Sequence, residues 1–392
     1  MREGWEYKKL GDVCHVSAGQ GAPQGEDNYS DVGTPFVKAG NLVELINGKQ
    51  ESDIQKVSDE VAKAHRLVLY ETGSVVFAKS GMSCMKGHVY TLKNDCYVVS
   101  HLAILQPRNI SSAYLNYYLQ YHKPNNLIKD EGYPSISLKD IENSIISLPS
   151  NIEQENRAVF ELDKINELIR LKKEQLKDYD NLAQSIFYEM FGDPVVNEKG
   201  WKVKKFSEVA SFKNGLNFGK NENGYSYKIL GVGDFKNNYV VNSSLLEYIN
   251  LNDELSSDYF LKPEDIVFVR SNGSKELVGR CVSVDCTEPT TYSGFCIRCR
   301  LDENSGVLPM YLLYVCKNKG IREYLTQSGR GCNISNVNQK ILNSTDIIIP
   351  PLSKQELFIQ RIELIEKQKA EIQSTIADLE TLLASRMQYW FD

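Results

Sequence analysis

The longest regular pattern in the chain runs from Asn151 to Phe191, a stretch without proline or glycine. Within it Leu162, Ile165, Ile169, Leu176, Tyr179 and Ile186 recur at heptad a and d spacing. That spacing predicts one amphipathic helix, roughly 60 Å long, with a narrow apolar seam. A lone helix with so narrow a seam is unstable in water and needs a partner. The partner is predicted from Lys354 to Trp390, where Ile362, Ile365, Ile372, Ile376, Leu379 and Leu383 keep the same register 200 residues on. Each seam carries one basic residue, Lys172 and Lys369, of a kind that specifies pairing at some cost in stability.

Between these helices the pattern changes to short β-branched and aromatic runs. Ser74–Lys79 and Asp265–Arg270 read as strands, each followed at once by a glycine turn (Ser80-Gly81, Asn272-Gly273). His88–Leu92, Arg280–Val284 and Phe295–Leu301 alternate in the same way, whereas Ser112–Gln120 and Leu308–Cys316 have helical character. Each globular part is therefore an α+β module with a strand-rich, barrel-like sheet.

The chain is an internal duplication. Trp5-Glu-Tyr-Lys-Lys-Leu-Gly-Asp-Val13 is echoed by Trp201-Lys-Val-Lys-Lys-Phe-Ser-Glu-Val209, and Glu71–Ser80 by Lys262–Ser271. Pro134–Ile141 is matched with Cys332–Gln339, and each half leaves through proline and a Gln-Glu pair (Gln154-Glu155, Gln355-Glu356) into its long helix. The expected domains are a first module at 1–148, a central helix at 149–194, a second module at 195–349 and a C-terminal helix at 350–392. The frame repeats while the interiors diverge, as expected of two copies that recognise different things.

Composition narrows the class. Hydrophobic residues make up 42% and charged residues 24% of the 392, ordinary values for a globular protein. Apolar runs are too short to span a membrane, and the opening MREGWEYKKLGDV lacks the apolar core of a signal peptide. Nine unevenly spread cysteines fit reduced thiols and a cytoplasmic location.

Catalytic chemistry is sparse. Gly19–Gly25 is glycine-rich without the Gly-Lys-Ser/Thr ending of a phosphate loop, and reads as a flexible loop. Leu230-Gly-Val-Gly-Asp234 faintly resembles a methyltransferase cofactor turn, but the catalytic Asn/Asp-Pro-Pro-Tyr/Phe tetrapeptide is missing, the only Pro-Pro lying in Ile349–Leu352. Cys281, Cys286, Cys296 and Cys299 could be read as a zinc site, yet Cys296 and Cys299 sit at odd spacing in one strand and face opposite sides. The five histidines show no metal-ligand spacing. Metal and cofactor are expected to be absent.

Two divergent modules, each leading through proline into a long helix, resemble the specificity subunit of type I restriction-modification systems. The resemblance is carried by the Trp-x-x-x-x-Leu/Phe-x-x-Val openings, by Pro35–Leu42 with Lys228–Phe235, and by the proline-to-helix junctions. The family's Pro-Pro-Leu-x-x-Gln junction is intact at Pro350–Gln355 but replaced by Leu-Pro-Ser-Asn-Ile-Glu-Gln at the first helix. The resemblance implies two target-recognition domains related by a pseudo-two-fold duplication and joined by an antiparallel coiled coil. It implies as partners a double-stranded DNA with a bipartite target, methyltransferase (modification) subunits and a restriction-translocase subunit. S-adenosylmethionine would belong to the methyltransferase partners. Alternatives are the recognition segment of a fused restriction-methyltransferase and a non-DNA coiled-coil scaffold with two binding modules.

The net charge of −6 is unusual for an independent DNA binder, so either the basic residues cluster on one face or a partner supplies much of the phosphate contact. Base edges are read by polar and basic side chains at loop tips. In the first module the candidates are Lys38 and Asn41, and Lys79, Ser80, Met82 and Lys86; in the second they are Arg270, Ser271, Asn272 and Lys275, and Arg330 and Asn333.

Overall fold

Both predicted long helices form as single elements of 40 residues, Ile152–Phe191 and Leu352–Phe391, in a computed structural model that describes residues 4–218, 224–235, 239–327 and 336–392. The first begins where the Asn151 side chain accepts the Glu153 N–H at 2.8 Å, an N-cap contact. It ends at Gly192, whose φ of +76° suits the left-handed residue that closes a helix. The second starts directly after Pro350-Pro351, with the Pro351 carbonyl accepting the Lys354 N–H at 2.9 Å.

The chain divides into two compact units, one of Met1–Glu174 with Ser374–Asp392, the other of Gln175–Gln373. In the first, strand Trp5–Lys9 pairs antiparallel with Ile145–Pro149. A four-stranded antiparallel sheet runs in the order Cys14–Ala18, Leu102–Pro107, Val75–Ala78, Val89–Thr91. A smaller sheet places Thr34–Val37 between antiparallel Lys56–Val57 and parallel Tyr97–Val98. Helix Ser112–Tyr121 buries Tyr114 and Leu115, and the Tyr114 hydroxyl donates to the Ser147 carbonyl at 3.0 Å. This core also takes in Ala158 and Leu162 of the central helix, with Trp390 and Phe391 from the end of the other. Tyr114 and Phe391 meet edge to face at 5.3 Å.

The second unit repeats this order. Lys202–Lys205 pairs with Asp346–Ile349. The larger sheet runs Ala210–Asn214, Cys296–Leu301, Ile266–Val269, Cys281–Asp285, with Val240–Asn242 added in parallel at the edge. The smaller sheet has Tyr225–Leu230 between antiparallel Glu247–Leu251 and parallel Thr290–Tyr292. Tyr311 of helix Pro309–Lys317 donates to the Ile348 carbonyl at 3.0 Å, as Tyr114 does to Ser147. Phe187, Phe191 and Phe358 of the long helices pack round it, Phe191 at 4.9 Å from the Tyr311 ring and 5.4 Å from Phe358.

Along the helices Ile165, Ile169, Ile372 and Ile376 are buried, and Leu176, Tyr179, Ile186, Leu379 and Leu383 are half-buried. The seam is not uniform: Leu162, Ile362 and Ile365 belong to the globular cores, because the helix ends are buried against their modules. In the first unit Glu161 pairs with Arg386 at 2.6 Å and accepts the Trp390 indole N–H at 2.9 Å, and Lys173 pairs with Glu380 at 2.9 Å. In the second, the seam lysine Lys369 pairs with Asp180 at 2.8 Å and Glu366 at 2.9 Å.

Four expectations need correction. The main sheets are open and not barrel-like: among the described residues no pairing joins edge strands Cys14–Ala18 and Val89–Thr91. The repeat near Ile136 is registered three residues later than the sequence match. Ile136 N–H bonds the Lys79 carbonyl as Val337 N–H bonds that of Arg270, and Ser137 caps its helix as Asn338 does. Likewise the buried counterpart of Glu155 is Gln355, not Glu356. Gly19, finally, is no loose loop residue. A Cβ there would lie 2.2 Å from the Val99 carbonyl oxygen, and at Gly215 the same distance from that of Ser293, so both must be glycine to let two backbones meet.

Candidate functional site

Each copy has a three-residue run to which three other segments are tied. In the first copy the Val99 N–H donates to the Val37 carbonyl at 3.0 Å, Ser100 to Gln20 at 2.8 Å, and the His101 carbonyl accepts the Lys79 N–H at 2.9 Å. In the second copy the equivalent bonds join Ser293 to Leu230 at 3.0 Å, Gly294 to Leu216 at 2.6 Å, and Arg270 to the Phe295 carbonyl at 2.8 Å. The run thus gathers the end of the smaller sheet, the glycine crossover and the turn after the central strand. Satisfied backbone fixes these turns and leaves their side chains to vary.

Lys79 and Arg270 therefore occupy one position in the two copies, both half-buried with N–H and carbonyl engaged. Past Lys79, the Ser80 hydroxyl and the His101 ring nitrogen Nδ1 lie 2.9 Å apart, and Gly81 (φ +77°) donates to the Pro134 carbonyl at 3.0 Å. The 3₁₀ turn Met82–Lys86 follows, its Met85 carbonyl held by the Asn125 amide at 3.1 Å. Met82 is 76% exposed and Lys86 is exposed at the tip. The Lys79 charge reaches the buried Cys84 thiol: burial raises that thiol's pKa and Lys79 opposes the rise. Past Arg270, Ser271 and Asn272 are half-buried, Asn272 accepts the Ser274 N–H at 2.8 Å, and Lys275 is exposed.

Lys38 and Asn41 are more occupied. Lys38 donates to the Gln55 amide oxygen at 2.7 Å and lies 4.0 Å over the Tyr29 ring. The Asn41 side chain accepts the Lys38 N–H at 2.9 Å, just as Asp234 accepts the Gly231 N–H at 2.8 Å. The turn at Gly231 is thus the second copy of this one. Arg330 and Asn333 lie outside the described residues.

Two surface residues escaped the sequence reading. His101 and Phe295 share one position at the tip of the run; Phe295 is 58% exposed and His101 is exposed. The alternating pattern places Phe295 in a strand, but that strand begins only at Cys296. Val98–Leu102 and Tyr292–Cys296 match at no residue, so no repeat in the sequence pointed to this shared position.

The cysteines do not converge. Cys281 and Cys299 lie in the core on one side of the larger sheet, while Cys296 lies in the core on the other and Cys286 packs against it. Burial pushes Cys281 and Cys286 up to about 11 and Cys296 up to about 12, holding them as thiols and not as metal-binding thiolates. Among the described residues no group of three or more potential ligands could hold a metal.

Two further cations of the second module, Arg300 and Lys228, are structural. Arg300 pairs with Asp265 in bidentate fashion at 2.8 and 2.6 Å, and buried Lys228 donates to the Leu246 carbonyl at 2.7 Å.

Comparisons with known proteins agree with this architecture. The specificity subunit of the type I restriction enzyme StySPI from Salmonella potsdam is 22% identical over 391 residues, covering 93% of this chain and 82% of its own. That of MjaIX from Methanocaldococcus jannaschii is 31% identical over 156 residues, 38% of this chain and about a third (34%) of the relative. Among solved structures, the S subunit of a type I restriction-modification system from M. genitalium superposes with a TM-score of 0.52 at 12% identity, over 99% of this chain and 96% of that one. The family described as "Type I restriction modification DNA specificity domain" matches twice, at residues 2–178 and 198–381. The match falls once on each copy of the duplicated frame, and the chain belongs to the type I restriction-modification DNA specificity family.

Proposed function

We propose that each module reads one half of a bipartite DNA target, and that the paired long helices act as an antiparallel coiled-coil spacer in a pseudo-two-fold arrangement. The observation that carries this reading is the tied three-residue run. It recurs bond for bond in both copies, while its projecting side chains differ: Lys79, Met82, Lys86 and His101 against Arg270, Asn272, Lys275 and Phe295. Shared geometry with unshared tips is what two readers of different sequences require. The target-recognition domains would be residues 1–148 and 195–349.

As a specificity-family member the chain is a recognition component and not an enzyme. Methyltransferase subunits would dock on the helices and carry S-adenosylmethionine, with a restriction-translocase subunit completing a cytoplasmic complex. A structural neighbour titled for complex assembly of the type I system, with a TM-score of 0.56 over 99% of this chain, supports such partners. No helix among the described residues is long and apolar enough to cross a membrane. The test is capture of duplex DNA from a randomised pool by the chain, with and without methyltransferase subunits. Enrichment of a split motif in the complex is expected; a continuous motif, or none, would overturn the reading.

A further inference from the structure

In the first module two segments run antiparallel beside the tied run. The Ile136 N–H donates to the Lys79 carbonyl at 2.8 Å, Ser80 and Ser135 form a bridge, and the Gly81 N–H donates to the Pro134 carbonyl at 3.0 Å. One residue further along on either segment stand Met82 and Tyr133, 76% and 86% exposed. Tyr133 is the most exposed aromatic side chain among the described residues. The backbone beneath both is braced. Met82 opens the 3₁₀ turn whose Met85 carbonyl is held by Asn125, and the Asp130 carboxylate accepts the Gly132 N–H at 2.8 Å. Pro134 and Ile136, which follow Tyr133, are buried. Singly exposed apolar residues need no explanation, but here a braced turn brings two large ones to one place, where a partner that covered them would remove their cost of hydration.

The surroundings select what covers them. Lys86, at the other end of the turn, is exposed and brings a cation suited to DNA. Glu131, also exposed, repels phosphates and so favours base edges over the backbone. In the major groove the base pairs present donors, acceptors and one apolar feature, the 5-methyl group of thymine. A thioether is only a weak acceptor, so discrimination by Met82 rests on that methyl, and an aromatic ring beside it covers the methyl's other side.

We infer that Met82 and Tyr133 form an apolar probe for the 5-methyl group of a pyrimidine in the half-site of the first module. This rests on the recognition reading of the tips and names the base feature that one of them takes. Thymine and 5-methylcytosine carry the same methyl, and the experiment separates the two sources.

The experiment uses the chain in complex with methyltransferase subunits and the split duplex which that complex captures from a randomised pool. Each thymine of the motif is replaced in turn by uracil, which lacks only the methyl, and each cytosine by 5-methylcytosine, with affinity measured by competition. For a thymine contact, uracil at one or two positions of a single half-site is expected to weaken binding about fourfold, the worth of one buried methyl. In Met82→Ala and in Tyr133→Ala the two bases should bind alike there. Tyr133→Phe should keep the difference, because the ring and not the hydroxyl covers the methyl. For a 5-methylcytosine contact, that base instead tightens binding about fourfold in the native chain, and both alanine variants lose the gain. Exposed positions are expected to leave the melting temperature unchanged; should one alanine variant melt early, the other carries the comparison. Equivalence of both base pairs of probes throughout the motif, or differences that persist in the alanine variants, overturns the inference and leaves the recognition reading standing. Failure to enrich any split motif would bring down that reading and this inference with it.

Discussion

Glu155 and Gln355 hold the same buried place at the start of the two long helices. Glu155 accepts the Ser111 N–H at 2.6 Å, and Gln355 accepts that of Leu308 at 2.9 Å, each at the N-terminus of the following module helix. Gln355 also donates its amide to the Gly306 and Pro350 carbonyls at 3.0 and 2.8 Å, which a carboxylate cannot do. Burial pushes the Glu155 carboxyl above its ordinary value of 4.5, the Ser111 bond opposing the rise. The folded state then binds more protons than the unfolded one, so this contribution is intact at low pH and is lost as pH rises through 4.5 toward the folded value. Glu155→Gln is therefore expected to flatten that decline and to raise the melting temperature near neutral pH, measured by calorimetry from about pH 4 to about pH 7. At the glycine crossover, Gly19→Ala or Gly215→Ala should each cost about 1–3 kcal/mol or more, several degrees of melting temperature by circular dichroism. Replacing Arg270 or Lys275 by alanine should weaken the second half-site by about 1–3 kcal/mol and leave the first half-site's preference intact, with Lys79 and Lys86 as the mirror case in a competition assay. The importance of Gly19 was not legible in the chain, because glycine's role there depends on Val99, eighty residues away.

The helices were the most legible elements, since their period of 3.5 is long, unbroken and repeated. What the period could not reveal is that the seam changes partner along its length. Leu162, Ile362 and Ile365 obey the same heptad as Ile165 and Ile372 yet serve globular cores. Phe358, a d position one heptad before Ile365, and Phe187 and Phe191, which lie off the heptad, do so as well. Short strands were placed within a residue or two by their β-branched runs, whereas the open edges of the sheets depend on pairings between distant segments. Burying an aliphatic side chain is worth about 1.5–3 kcal/mol, and a carboxylate in its place adds an unpaired charge. Ile165→Asp and Ile372→Asp should each lower the melting temperature substantially; an unchanged profile for either would mean that its helix is not paired there.

For the whole molecule, the divergent repeats and the charge of −6 together set the expected behaviour. Phosphate neutralisation supplies most non-specific affinity and its salt dependence, and an acidic chain has few cations to spare for it. Free chain is expected to bind duplex DNA weakly, and the complex with methyltransferase subunits much more tightly, when both are titrated at the same salt concentration. Equal affinities would show that the basic residues of this chain suffice.

The seating of Trp390 and Phe391 in the core that begins at Leu10 bears on how the chain is made. The second unit is continuous, Gln175–Gln373, but the first needs Ser374–Asp392 to be complete. Ribosomes emit about 5–20 residues per second, and domains ordinarily mature in the order in which they emerge. Here that order is reversed: the first module leaves the ribosome early but stays without its closing aromatics until the last turn of the last helix is translated, after the second unit has all its residues. For that interval the rings of Tyr114, Tyr118 and Tyr121, which Phe391 meets in the finished fold, lack that cover.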